Sequence, residues 1–62
     1  MNSLQWVTEK TVRGITSISL QTLRNQRHIG IGIPYSKIGK SVRYRVSDVI
    51  QFMEDRKVVP QE

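Results

Sequence analysis

Apolar residues recur at helical spacing in three segments of the chain and alternate with polar residues in a fourth. In the first segment, Thr8 is a favourable N-cap, and Val7 and Val12 flank it at the positions of a hydrophobic staple. We expect a helix that begins at Glu9 and buries Val12 and Ile15. Because this helix is short, its stability should come mainly from tertiary packing.

A second helix is predicted from Leu20 to about His28, after a polar break at residues 16–18. Ser19 is its N-cap, and Ile18 and Leu23 form a second staple. Leu20, Leu23 and the stem of Arg27 share the inner side of this helix. The outer side carries polar residues without a negative charge, namely Gln21, Thr22, Arg24, Asn25 and His28. Two short helices joined by a tight turn, the second with such a face, predict a helix-turn-helix.

Residues 35–46 alternate basic and apolar side chains on either side of the Gly39-Lys40 pair. This alternation predicts a hairpin with strands at about 35–38 and 41–46, since successive side chains of a strand point to opposite faces. Val42, Tyr44 and Val46 should then face the core, and Arg43 and Arg45 the opposite side. Residues 29–34 contain two glycines and a proline, so they are predicted as a turn.

A third helix is predicted from its N-cap Ser47 to about Arg56, with Asp48 favourable at its positive end. Its apolar face comprises Val49, Ile50, Phe52 and Met53. Residues 1–6 are expected to lead in to the fold, and residues 57–62 to form a loose tail outside an ordered part at about 4–56. The predicted fold is therefore α+β: one small winged helix-turn-helix domain over 1–62, three helices with a two-stranded antiparallel β-ribbon (wing).

The charge distribution indicates a polyanionic partner. Ten Lys and Arg residues against five Asp and Glu give a formal net charge of +5. Between Lys10 and Ser47 there is no carboxylate, yet eight of the ten bases lie there. Such a block attracts polyanions, nucleic acid above all. The alternative is a merely solvated basic surface.

Several other classes of protein are disfavoured by the sequence. There is no cysteine, and the single histidine, His28, has no partners at ligand spacing, so neither a metal nor a cofactor is expected. The chain lacks a membrane-length apolar run and a signal-peptide pattern, which predicts a cytoplasmic location.

Two glycine patterns resemble nucleotide-binding motifs only in part. Gly39-Lys40-Ser41 resembles the end of a P-loop, but Pro34 holds the earlier glycine position and a strand follows instead of a helix. Gly30-Ile31-Gly32 lacks the third glycine of a dinucleotide fingerprint. With no catalytic constellation either, the chain is not expected to be an enzyme.

On the second helix, Arg24 suits guanine in a major groove, and Asn25 or Gln21 suits adenine. Thr22 could contact a phosphate or a thymine methyl group, and His28 a phosphate. Each residue could equally belong to an ordinary polar helix face. Most aromatic residues, Trp6 and Tyr44 among them, are assigned to the core, which leaves no platform for stacking single-stranded bases and favours duplex DNA.

The hairpin is predicted to contact the DNA backbone or an adjacent minor groove. The residues expected to do so are Lys37, Lys40, Ser41, Arg43 and Arg45. The alternative is that these bases only keep an edge strand soluble.

The order of these segments resembles the excisionase and AlpA-like branch of the MerR-type winged-helix superfamily. The resemblance is carried by Thr8-Glu9-Lys10, Ile18-Ser19, Thr22-Leu23-Arg24-Asn25, Arg27-His28, Gly30-x-Gly32, Pro34-Tyr35, Lys37-Ile38-Gly39-Lys40, Val42-Arg43-Tyr44 and Ser47-Asp48-Val49. It covers about residues 6–55. It departs from the usual pattern at Ser17, where a turn glycine is frequent, and at Gln26, where an aromatic residue is common.

This resemblance implies a phage or mobile-element protein that binds duplex DNA and directs excision by a partner integrase. An AlpA-like transcriptional regulator is the nearest alternative. No dimerisation helix follows Arg56 in the sequence, so a monomer or cooperative side-by-side binding on DNA is expected. An alternative of another class is a protein-interaction adaptor whose basic ribbon docks on an acidic partner.

Overall fold

A computed structural model describes residues 2–60. The elements are β1 (Trp6–Val7), α1 (Glu9–Thr16), α2 (Leu20–Ile29), β2 (Ser36–Ile38), β3 (Ser41–Arg45) and α3 (Val46–Asp55). The α+β, winged helix-turn-helix fold class is thereby confirmed. Parts of the expected lead-in and tail, at residues 1, 61 and 62, lie outside the described residues.

The two predicted N-caps of the helix pair are confirmed. The Thr8 side chain accepts a hydrogen bond from the backbone N–H of Thr11 at 3.4 Å, and Ser19 accepts from Thr22 at 3.2 Å. Between the helices, Ser17 adopts a left-handed conformation with φ 60°. This is the position where the resemblance leads one to expect glycine, because a side chain there is strained.

The sheet contains a short strand that the sequence pattern did not predict. β1 pairs antiparallel with β3, and β3 pairs antiparallel with β2, which gives the strand order β1-β3-β2. The register places Trp6 opposite Arg45 and Val7 opposite Tyr44. The hairpin therefore supplies the central strand, β3, and one edge strand, β2, while β1 forms the other edge and leads directly to the start of α1.

The third helix begins two residues earlier than predicted, and Ser47 is not its N-cap. Arg45 holds the cap position without a side-chain hydrogen bond, and Val46 is helical instead of extending the strand. The backbone N–H groups of Val46 and Ser47 donate to the carbonyls of Gln5 and Ser3, at 2.9 and 2.7 Å. Because the N-terminal segment satisfies these donors, the helix needs no capping side chain.

The core draws on every layer of the fold. Its buried residues are Val7, Val12, Leu23, Ile33, Tyr44, Val46, Val49 and Phe52. Ile33 comes from the predicted turn, and it is only 3% exposed. It anchors the connection between α2 and the hairpin.

Some apolar side chains expected in the core are exposed instead. Ile15, Ile50 and Met53 lie at the edges of the apolar faces of α1 and α3, where the small core leaves them uncovered. Trp6 is 43% exposed because it points away from its buried neighbour Val7 on β1. Tyr35, just before β2, is also exposed.

Among residues 2–60, no helix is long and apolar enough to cross a membrane.

We predict that Gly32→Ala lowers stability more than Gly39→Ala. Both glycines have positive φ, at 92° and 61°. A Cβ on Gly32 would lie 2.9 Å from Cβ of Gln26, whereas one on Gly39 would meet nothing within 4 Å. Gly39→Ala should cost about 1 kcal/mol of unfolding free energy, and Gly32→Ala roughly twice that or more. Urea unfolding measures both, and equal losses would contradict the close contact of Gln26 with this loop.

Candidate nucleic-acid interface

The outer face of α2 is polar and accessible. The five side chains predicted there, Gln21, Thr22, Arg24, Asn25 and His28, are all exposed. Nε2 of Gln21 donates to Oδ1 of Asn25 at 3.1 Å, and the hydroxyls of Ser19 and Thr22 are bonded at 2.9 Å. Both amide side chains therefore already have a defined orientation on the helix surface.

The hairpin does not place its predicted contact residues on one face. Lys37 is opposite Val42 in the register, so it lies on the face that also carries the buried Tyr44. Arg43 and Arg45 belong to the other face. Lys40 and Ser41 are exposed at the hairpin end, next to the Gly39 turn.

Two adjoining concave surfaces lie on either side of the hairpin end. One lies against the N-terminal end of α1, the other against α2, and they share Arg27, Lys40 and Val42. We call the two surfaces together the basic groove. Its basic side chains are Lys10, Arg24, Arg27, Lys37, Lys40 and Arg43, together with His28. The groove thus brings Arg24 and His28 of the predicted recognition face beside the hairpin residues predicted to contact DNA, apart from Arg45. Gln21, Thr22 and Asn25 do not line it and lie elsewhere on the exposed surface of α2.

Arg45 is separate from the basic groove. Its Cζ lies 4.7 Å from the ring centroid of Trp6, its partner across the sheet. The Nε atom of Arg45 is buried and has no hydrogen-bond partner among the described residues. Arg43, by contrast, lines the groove, and its Nη1 donates to the carbonyl of Val42 at 2.9 Å.

Arg27 lies at the junction of the two concave surfaces. Its Nη1 donates to the Tyr44 hydroxyl at 2.7 Å and to Oε2 of Glu9 at 3.1 Å. Its Cζ is also 5.9 Å from the centroid of the Tyr35 ring and 6.0 Å from that of Tyr44, within the range of cation–π attraction. The guanidinium therefore connects α2 with α1 and with the sheet.

Glu9 introduces a carboxylate into the basic groove. Its Oε1 accepts from Nη2 of Arg24 at 2.8 Å, and its Oε2 accepts from Arg27. The hydrogen bond from Arg24, followed by that from Arg27, lowers the pKa of Glu9 despite partial desolvation. The carboxylate is therefore ionised at neutral pH.

Sequence reasoning did not assign Lys10, Arg27 or Glu9 to the interface. Lys10 lies on the first helix, outside the predicted recognition face of the second. No pattern in the sequence indicates that it lies near the hairpin. Arg27 did carry a signal, since a base on the inner side of a helix requires a polar partner there. Its partners, Glu9 and Tyr44, are 18 and 17 residues away, too far for a pattern in the sequence to identify them.

The geometry suits an extended anion better than a metal ion. Within residues 2–60, no group of three or more His, Cys, Asp or Glu side chains could hold a metal. The groove is open, basic and flanked by the exposed polar face of α2. Such an arrangement can bind phosphates along a nucleic-acid backbone while α2 approaches the base edges.

Comparison with known proteins identifies a family to which most of the chain is similar. The model of a helix-turn-helix domain family matches residues 6–57. No curated protein and no solved structure matches the chain.

We predict that Tyr44→Phe destabilises the protein, whereas Tyr35→Phe has little effect. The Tyr44 hydroxyl accepts from the charged Arg27, and its loss should cost about 1–2 kcal/mol, or several degrees in Tm. Tyr35 touches the same guanidinium only through its ring. Thermal unfolding of both variants checks this. Equal Tm values for Tyr44→Phe and the unchanged protein would contradict the structural role of this hydrogen bond.

Proposed function

Because the chain belongs to the helix-turn-helix domain family, whose members bind DNA, we propose that it acts as a phage or mobile-element excisionase. In this role it binds duplex DNA sequence-specifically and assists a partner integrase in excision. The basic groove carries the proposal, since it combines a polar recognition helix with a basic hairpin.

The exposed side chains of α2 and of the hairpin suit different parts of the DNA. Arg24 reads guanine in the major groove, and Asn25 or Gln21 reads adenine, with Thr22 and His28 on neighbouring phosphates or base edges. Lys37, Lys40, Ser41 and Arg43 bind the backbone beside the hairpin end. Arg45 lies against Trp6, so its contribution to DNA binding is smaller than that of Lys40.

The excisionase role rests on the resemblance described above, which spans the helix pair, the hairpin and the start of α3. A transcriptional regulator of AlpA type is the second candidate, because the same bound protein can block or recruit polymerase at a promoter. Both roles use the same interface. They differ in whether an integrase responds to the bound protein.

We predict salt-dependent binding to duplex DNA of random sequence. Four to six phosphate contacts should give micromolar affinity at low salt and a loss of about 100- to 1000-fold between 50 and 200 mM salt. Lys40→Ala should weaken binding to all sequences and reduce the salt slope by about one, because Lys40 is exposed in the groove. Fluorescence anisotropy titrations at several salt concentrations measure both effects.

Lys57→Ala is the matched control, since it removes the same charge from the segment after α3 and leaves the groove intact. Equal weakening by the two variants would contradict a role for the hairpin beyond net charge. Affinity for duplex no better than millimolar at low salt would reject DNA binding and favour the adaptor.

We predict that the protein stimulates excision by a partner integrase, for which any integrase encoded beside it is the first to be tested. The experiment incubates that integrase with a supercoiled plasmid carrying the two attachment sites, with and without this protein, and measures the excised circle. Excision should depend on the protein and be lost with Lys40→Ala at moderate salt. Unchanged excision, together with altered transcription from a promoter containing the bound sequence, would select the regulator instead.

A further inference from the structure

Glu9 makes contacts that a carboxylate at the start of a helix does not need in order to stabilise that helix. As the first residue of α1, it suits the positive end of that helix. Its side chain, however, binds α2, with one oxygen on Arg24 and the other on Arg27. The side chain of Glu9 is only 22% exposed. The carboxylate therefore connects the two helices at the edge of the candidate DNA-binding surface.

These hydrogen bonds link Arg24 to the core. The hydroxyl of Tyr44, a residue that is 1% exposed, accepts from Arg27, and Arg27 and Arg24 both donate to Glu9. Arg24 itself retains 54% of its side-chain exposure. An arginine held in this way has already lost much of its rotamer freedom, so less freedom remains to be lost when it binds a base.

The ion pair leaves Arg24 able to read a base. Glu9 accepts from Nη2 of Arg24 alone, and a guanidinium has five N–H donors. The remaining donors can make the paired hydrogen bonds to O6 and N7 of guanine. Glu9 thus orients Arg24 without using up its donors.

The same carboxylate disfavours binding that ignores sequence. Among residues 2–60, the other acidic side chains lie on α3, so Glu9 is the carboxylate that faces the groove. It repels phosphates and occupies arginines that would otherwise bind them. Glu9 therefore reduces the binding free energy of a complex in which Arg24 contacts a base less than that of a complex in which Arg24 contacts a phosphate.

We propose that Glu9 is a specificity-determining residue, which holds Arg24 in position for a base edge and keeps it from binding phosphates indiscriminately. This inference rests on the proposed DNA-binding function. It assigns the sequence specificity of α2 partly to a side chain on α1.

The experiment compares Glu9→Gln with the unchanged protein on two probes. One is a pool of short duplexes of random sequence, and the other is the duplex enriched from that pool by repeated selection on the unchanged protein. Glu9→Gln should bind the random pool about three- to tenfold more tightly at low salt, with a salt slope steeper by about one. The ratio of selected to random affinity should fall by about tenfold, because Arg24 is no longer held. An unchanged or increased ratio would overturn the proposal.

Glu54→Gln is the matched control, because it makes the same change in charge on the exposed surface of α3. It should leave the affinity ratio unchanged. A fall equal to that of Glu9→Gln would assign the effect to net charge and would overturn the role of Glu9.

In an Arg24→Ala background, Glu9→Gln should no longer change the ratio of selected to random affinity. A persisting fall would show that Glu9 does not act through Arg24.

Glu9→Asp keeps the charge but shortens the side chain, and it serves if Glu9→Gln does not fold. It should tighten binding to the random pool less than Glu9→Gln does, because the charge remains, and it should weaken binding to the selected duplex, since one short carboxylate cannot reach both arginines. Equal effects on the two probes would overturn the proposal.

If the unchanged protein binds no duplex at all, the proposed function fails and this inference with it. If it binds but the ratio does not respond, only the role of Glu9 fails.

Discussion

One guanidinium, that of Arg27, joins three parts of this fold by polar contacts that supplement its small core. It donates to a hydroxyl from the sheet and to a carboxylate from α1 while it belongs to α2. Its side chain is 16% exposed, so the charge is largely removed from water and must be compensated. The Tyr44 hydroxyl and Glu9 provide that compensation. The relative positions of α1, α2 and the hairpin, and therefore the shape of the groove, depend on these contacts.

Local signals in the sequence were sufficient for the helix pair and much of the hairpin. Thr8 and Ser19 were identified as N-caps because capping acts within a single turn. The alternation of Val42 and Tyr44 with Arg43 correctly identified the buried face of β3. In each case the residues that cause the structure are close together in the chain.

Features that depend on distant residues were not predictable in this way. Ser47 is a good cap by composition, but the carbonyls of Ser3 and Gln5 already satisfy the start of α3. Strand β1 has only two residues, which is too short to show an alternating pattern of apolar and polar side chains. It is defined by its pairing with β3. The contacts of Glu9 in the groove could not be predicted either. They join α1 to Arg24 and Arg27 on α2, and no spacing along a single helix indicates them.

The bonds from α3 to the N-terminal segment also affect when the chain can fold during synthesis. Ser3 and Gln5 are synthesised before the helix pair, but the amides that they bind belong to α3. Strand β1 likewise waits for β3. Contacts between such distant parts of a chain form late, since closing the long loop between them must come first. The three-stranded sheet is therefore completed only after β3 has been synthesised, and the start of α3 gains its partners only after α3 itself.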